Sequence, residues 1–236
     1  EFVEPSARFT RNQIEDTIVF MGSARAPESV DGPEPGPPPN DDTQVKHWKA
    51  MARYYQDCRE LAKRITNWSK NLPEGHRRFV VCSGGGPGIM EAANRGAADA
   101  DGLSIGLNIV LPFEQQPNSY ITPELCFQFH YFAIRKMHFL KRARALVACP
   151  GGYGTFDELF ETLTLIQTRK IKPVPVVLVG EEFWRKAFDV DFLVDEGVIE
   201  PEDRDLFWYA ETAEDIWQGL LLWYERKGEA LVADAC

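Results

Sequence analysis

Little in this chain is basic. Lysine and arginine number 26 against 36 aspartates and glutamates, and the formal net charge is −10. A protein that grips nucleic acid carries a basic face to neutralise phosphates, so nucleic acid is not an expected partner. A small anionic ligand stays open, because it needs only local positive potential. Long apolar runs are also missing. None approaches the roughly 20 residues of a membrane span, so no membrane partner is expected. No signal-peptide pattern opens the chain, which starts at Glu1 rather than at a methionine. The five cysteines, Cys58, Cys82, Cys126, Cys149 and Cys236, form no C-x-x-C pair. Cys82 and Cys149 fall in apolar runs that read as core strands, so buried free thiols in a reducing cytoplasm are the expectation. The four histidines, His47, His76, His130 and His138, lack metal-ligand spacing. Core or solvated histidine is favoured over a metal site.

What the chain does have is glycine placed just after strands. Ala145–Cys149 is an apolar run, and Pro150-Gly151-Gly152-Tyr153-Gly154-Thr155-Phe156-Asp157-Glu158 follows it. Phe156, Leu159, Phe160, Leu163 and Ile166 then recur at helical spacing. A strand, a glycine turn and a helix start bring backbone N–H groups together where an anion can sit. A second such turn, Ser83-Gly84-Gly85-Gly86-Pro87-Gly88, follows the apolar run Phe79–Cys82. Thr155 and Glu158 also have capping-box spacing, so they could simply satisfy backbone donors at the helix start.

The rest of the chain alternates. Residues 1–16 are polar and mixed and read as an N-terminal arm or short helix. Thr17–Met21 is a strand, and the acidic, proline-rich stretch 31–42 is a mobile loop. A long amphipathic helix covers 44–72. Pro87 suits the first position of a helix running to about Ala100. Strands are expected at 103–111, 126–131, 174–179 and 207–210. Helices are expected at 133–144, 183–196 and 212–226, and 229–236 is a tail. Strands alternating with helices imply an α/β, Rossmann-like, doubly wound parallel sheet with helices on both faces, built as a single domain over 17–228. The tryptophans Trp48, Trp68, Trp217 and Trp223 read as core, or as part of a two-fold homodimer face.

Such sheets bind ligands beyond the carboxyl ends of their strands, where the strand order reverses. Ser23 and both glycine turns should gather there, with two helix N-termini aimed at one pocket. A dinucleotide site needs G-x-G-x-x-G. Gly22 to Pro27 fails that test, and the second turn has Ile89 where the last glycine would fall. Neither turn ends in the Gly-Lys-Ser/Thr of a P-loop. The pattern suits one phosphate of a mononucleotide.

Ser83 to Ala97, then Arg135-Lys136, then Pro150 to Glu158 resemble the lonely-guy family of cytokinin-activating phosphoribohydrolases, often mislabelled lysine decarboxylases. The resemblance runs from about Thr17 to beyond Pro201. Pro112 to Asn118 is similar to the long-form members, and Arg135-Lys136-Met137-His138-Phe139 departs from the Arg-Lys-x-x-Met of the short ones. The resemblance implies that Arg135 and Glu158 are catalytic. It implies that Gly84, Gly85, Gly86, Gly151, Gly152, Gly154 and Thr155 hold the 5′-phosphate of a nucleoside monophosphate. Gly88, Ser23, Glu114 and Lys136 complete the expected substrate-binding set.

The reaction so implied is hydrolysis of a nucleoside 5′-monophosphate to free base and ribose 5-phosphate. Its transition state has oxocarbenium character, which a carboxylate stabilises, and Glu158 is the candidate. Arg135 stays protonated, so it donates or positions rather than acting as an acid. Without the resemblance it reads as a surface arginine of a basic helix. Glu114 is either a second carboxylate at the ribose or a solvated loop residue. Ser23 and Arg25 either reach the ligand or only shape their turn. Glu91 reads as an early-helix carboxylate facing the dipole. Lys136 lacks the acidic partner motif of a pyridoxal-phosphate lysine, and no metal, nicotinamide or other cofactor is expected. The rival reading is a non-catalytic protein that carries a nucleotide or a molybdenum cofactor, a kind with a similar fold and similar turns. Such a protein has no need for the Arg135/Glu158 pair.

Overall fold

A computed structural model describes residues 1–31, 41–72, 77–112, 116–228 and 231. Glu114, His76, Cys236 and most of the proline-rich stretch 31–42 lie outside the described residues. Seven strands form one parallel sheet: β1 Thr17–Met21, β2 Val80–Ser83, β3 Ser104–Ile109, β4 Cys126–Phe129, β5 Ala143–Ala148, β6 Val176–Val179 and β7 Trp208–Ala210. Their spatial order is β4-β3-β2-β1-β5-β6-β7. The chain steps outward from β1 to β4, returns to pair β5 with β1, then steps outward the other way. The order therefore reverses between β1 and β5. In register, Met21 lies opposite Ala148 and Phe20 opposite Ser83. The loops after β1, β2 and β5 thus leave the sheet side by side.

The strands are apolar on both faces because helices cover both. Ile18, Phe20, Val81, Val147 and Val179 face a core shared with α2 Asp42–Lys70, α3 Ile89–Asp99 and α8 Ala213–Arg226. Val19, Met21, Cys82, Leu146 and Leu178 face the other core, shared with α1 Glu4–Arg11, α4 Phe132–Lys141, α5 Tyr153–Gln167 and α6 Glu181–Ala187. Such two-sided burial erases the polar–apolar alternation of a one-sided sheet. The leading segment packs here too: Phe9 and Ile14 are buried in the second core.

Local chemistry moved several boundaries. The long helix starts at Asp42, because the Asp41 side chain accepts from the Gln44 N–H at 2.8 Å and caps it. Pro87 is not a helical residue; α3 begins at Ile89 after Gly88. The expected helix 183–196 is two, α6 and α7 Val190–Asp195, because Asp189 accepts from the Phe192 N–H and starts the second. Trp68, Trp217 and Trp223 are only partly buried against the core, while the fully buried tryptophan is Trp184, whose indole N–H donates to the Val179 carbonyl. Cys58, Cys82 and Cys149 are buried free thiols, and Cys126 is half-buried. Among the described residues, no helix is long and apolar enough to cross a membrane.

Candidate active site

A cleft of about 520 Å³ opens over the carboxyl ends of the central strands, at the reversal point. Its mouth is tied together by main-chain hydrogen bonds. The Cys149 N–H donates to the Met21 carbonyl, the Ser23 N–H to the Pro150 carbonyl, and the Ile89 N–H to the Ser23 carbonyl. The three loops after β1, β2 and β5 are thereby fixed to one another. The last of these bonds has a cost for anion binding: α3 gives its first N–H to Ser23. Helix α5 starts at Gly152 with no side-chain cap, so its first amides carry no side-chain partner. Helix α3 likewise lacks a side-chain cap, so both helix N-termini expected to face the ligand keep early amides open to an anion, α3 without that of Ile89 and α5 without that of Thr155.

Thr155 is the third residue of α5, not its cap, so the capping-box reading of Thr155 and Glu158 fails. Glu158 instead reaches Arg135, with Oε1 2.5 Å from Nη2, and both side chains are about nine-tenths buried. Burial pushes the Glu158 carboxyl above its ordinary range, and the Arg135 guanidinium pulls it part of the way back. Arg135 is no surface residue. Its guanidinium lies over the rings of Phe132 and Phe139, 5.2 and 5.4 Å from their centroids, and its Nε is buried without a hydrogen-bond partner. One residue further along α4 the helix has turned by roughly 100°. Lys136 accordingly faces away from the cleft, to Asp157 at 2.6 Å and Glu161 at 3.3 Å. It is not part of the cleft lining.

Of the expected set, Ser23, Gly84, Gly86, Arg135, Gly152, Gly154, Thr155 and Glu158 line the cleft together. Gly85, Gly88 and Gly151 stand one layer behind. Gly88 has φ +68, and a Cβ there would collide with the Ser23 carbonyl oxygen. Gly85, with φ +73, packs under the Asn108 amide, and Gly151 under the Thr155 hydroxyl. Gly152 and Gly154, by contrast, have nothing within 4 Å of where a Cβ would be. The Ser23 hydroxyl accepts from the Arg25 N–H at 3.0 Å, which is turn chemistry, and Arg25 itself lines the cleft. Glu91 accepts from the Tyr55 hydroxyl and stays out of the cleft. Buried His138 hydrogen-bonds through Nε2 with the Glu1 carbonyl, and His130 pairs with the Glu1 carboxylate.

Sequence reasoning missed the apolar wall of the cleft. Met90, Ile109, Leu111, Phe132 and Phe139 give it an apolar surface, and Asn108 adds one amide. Asn108 was findable. It is the polar residue near the carboxyl end of β3, where such sheets place ligand contacts.

A family model described as "Possible lysine decarboxylase" matches residues 90–220, more than half of the chain. The chain belongs to that family, the lonely-guy family of the motif resemblance. A probable cytokinin riboside 5′-monophosphate phosphoribohydrolase of Oryza sativa subsp. japonica is 31% identical over 140 residues, which cover 58% of this chain and 56% of that protein. A cytokinin riboside 5′-monophosphate phosphoribohydrolase of Arabidopsis thaliana is 29% identical over 140 residues, covering 58% of this chain and 64% of that one. The match thus spans less than two thirds of either relative. Among solved structures, the X-ray structure of TM1055 superposes with a TM-score of 0.52 at 20% identity, covering 86% of this chain and 96% of that one. The Moco carrier protein of Chlamydomonas reinhardtii superposes with a TM-score of 0.51 at 19% identity, covering 90% and 99%. Both share the fold of this chain.

Proposed function

We propose that this lonely-guy chain hydrolyses the N-glycosidic bond of a nucleoside 5′-monophosphate, releasing free base and ribose 5-phosphate. The observation that carries the reading is the Arg135–Glu158 pair, buried in a cleft that the uncapped start of α5 also lines. The 5′-phosphate sits on the amides of Gly152, Tyr153 and Gly154, where the helix dipole favours an anion; the Thr155 N–H is engaged by the Gly152 carbonyl. The apolar wall of Met90, Ile109, Leu111 and Phe132 suits a flat base, and Asn108 offers it one polar contact. The ribose then lies between the two, beside Glu158.

As the bond to the base breaks, positive charge develops on the ribose ring. The Glu158 carboxylate opposes that charge from a side chain that is itself largely buried, where electrostatic stabilisation is stronger than in water. It also orients the attacking water. Arg135 fixes the carboxylate in place and offers donors to the departing base or to the phosphate. Decarboxylation through a lysine imine is not proposed, since no lysine is among the residues described as lining the cleft. A homodimer belongs to the same proposal: Tyr131, Tyr153 and Phe160 are exposed on or next to α4 and α5, apolar side chains that a second copy would cover.

The test is a panel of nucleoside 5′-monophosphates assayed for free base and ribose 5-phosphate. Release from a monophosphate, with the matching nucleoside a far poorer substrate, is the expected result. Binding of a phosphorylated ligand without release would favour the carrier reading instead. Equal turnover of nucleoside and nucleotide would remove the role given to the α5 amides.

A further inference from the structure

Cys58 and Cys149 stand 91 positions apart in the chain, yet their sulfurs lie 2.8 Å from each other. Cys58 is on the inner face of α2. Cys149 ends the run of β5 and precedes Pro150, the first residue of the glycine turn at the cleft. Both have no solvent exposure, both are free thiols, and neither lines the cleft. Nothing in the reaction proposed above uses them. Two sulfurs this close are already inside ordinary van der Waals contact. A disulfide has an S–S length of ~2.05 Å, so closing the bond shortens the gap by less than ~1 Å and relocates no element.

We propose that Cys58 and Cys149 are a disulfide-forming pair, oxidised by a peroxide, and that the bond staples α2 to the strand end carrying the glycine turn. In the first step one sulfur attacks the peroxide O–O bond, giving a sulfenic acid and one water. In the second, the other sulfur displaces the sulfenic oxygen as a second water and the S–S bond forms. Two thiols and one hydrogen peroxide give one disulfide and two waters: the sulfur pair loses two electrons and the peroxide gains them. The reaction is slow in the folded protein. The adjoining Cys149 sulfur and burial both hold the Cys58 thiol well above its ordinary range, so little of the reactive thiolate is present. Once formed, the bond is as buried as the thiols are, and soluble reductants reach it equally slowly.

The experiment treats the intact, folded chain with hydrogen peroxide, quenches it in denaturant with an alkylating reagent, and maps peptides by mass spectrometry without reduction. The expected product is one cross-linked pair holding Cys58 and Cys149, lighter by two hydrogens than the two peptides together. Closing so long a loop restricts the unfolded chain, so Tm should rise by on the order of 10 °C and return on reduction in denaturant and refolding. Cys58→Ser and Cys149→Ser proteins should give neither the peptide pair nor the rise. Recovery of both cysteines alkylated, pairing of either with Cys82, Cys126 or Cys236, or a bond that forms only in previously unfolded protein would each overturn the proposal. The peptide map uses the unsubstituted chain, so it decides the matter even if a serine variant does not fold.

Discussion

Arg135 and Glu158, 23 positions apart on α4 and α5, meet through a 2.5 Å contact between Nη2 and Oε1 inside the cleft. The contact joins the helix that leads into β5 to the helix that follows it, and it sets a charged pair beside an open helix N-terminus. Neither charge is idle scaffolding in the proposed reaction, and the two can be separated by experiment.

Glu158→Gln keeps an oxygen that Arg135 can donate to and removes the negative charge. Turnover of the preferred monophosphate should fall by about a hundredfold or more, the scale of losing one preorganised electrostatic group. Affinity should hold or improve, because a charge near the phosphate has gone. Steady-state kinetics with a separate binding titration checks both, and wild-type turnover would end the catalytic role of Glu158.

The pH profile carries a second test. Burial raises the Glu158 carboxyl and Arg135 lowers it again. The ionised form does the work, so kcat should fall on the acid side with a midpoint above that of an exposed glutamate. Of the two cations that hold the carboxyl down against burial, Arg135 and Lys136, Arg135→Ala removes the one with the larger effect. The acid limb of the residual activity should then move to higher pH. An unmoved limb would mean that the titrating group is not Glu158. The same shift acts on folding: a carboxyl whose folded pKa is raised favours the native state most below its unfolded pKa, and that contribution is lost as pH rises through the folded value.

Two glycines should part company. Gly88→Ala meets both a positive φ and the Ser23 carbonyl, and should cost more than ~1 kcal/mol of stability. Gly152→Ala meets nothing within 4 Å, and its φ of −93° suits any residue. That protein should melt like the wild type yet bind the monophosphate about tenfold or more weakly, because a methyl group now stands where the phosphate approaches the amides. Thermal melts and ligand titration on the two variants decide it.

Lys136→Ala should leave kcat and KM near wild type. Its ammonium serves Asp157 and Glu161 outside the cleft, so its loss removes no group that lines the site. A large rise in KM would return Lys136 to the substrate site.

Much of this was legible before any coordinates. Thr17–Met21 and the strands beside it are short apolar runs after which glycine or serine appears, and that pattern alone places the loops at one sheet edge. The limits were equally physical. Arg135 and Lys136 are adjacent cations, and only the rotation of α4 tells the inward one from the outward one. Thr155 and Glu158 have the spacing of a cap, but Gly152 starts the helix three residues before Thr155. Met90 and Phe132 look like any core residues in sequence, because a wall for a flat base and a wall for another helix use the same side chains. Asp41 was hidden in a proline-rich stretch whose composition pointed to a loop.

The Ser23, Ile89 and Pro150 links are all peptide to peptide. A point mutation exchanges a side chain and leaves the amide where it was, so the ties among the three loops are shielded from most of the substitutions a lineage accumulates. The apolar wall has no such protection: Met90, Ile109, Leu111 and Phe132 act through the groups that mutation changes. Under the proposed reaction, such a protein can therefore change the base it accepts while its three loops stay joined.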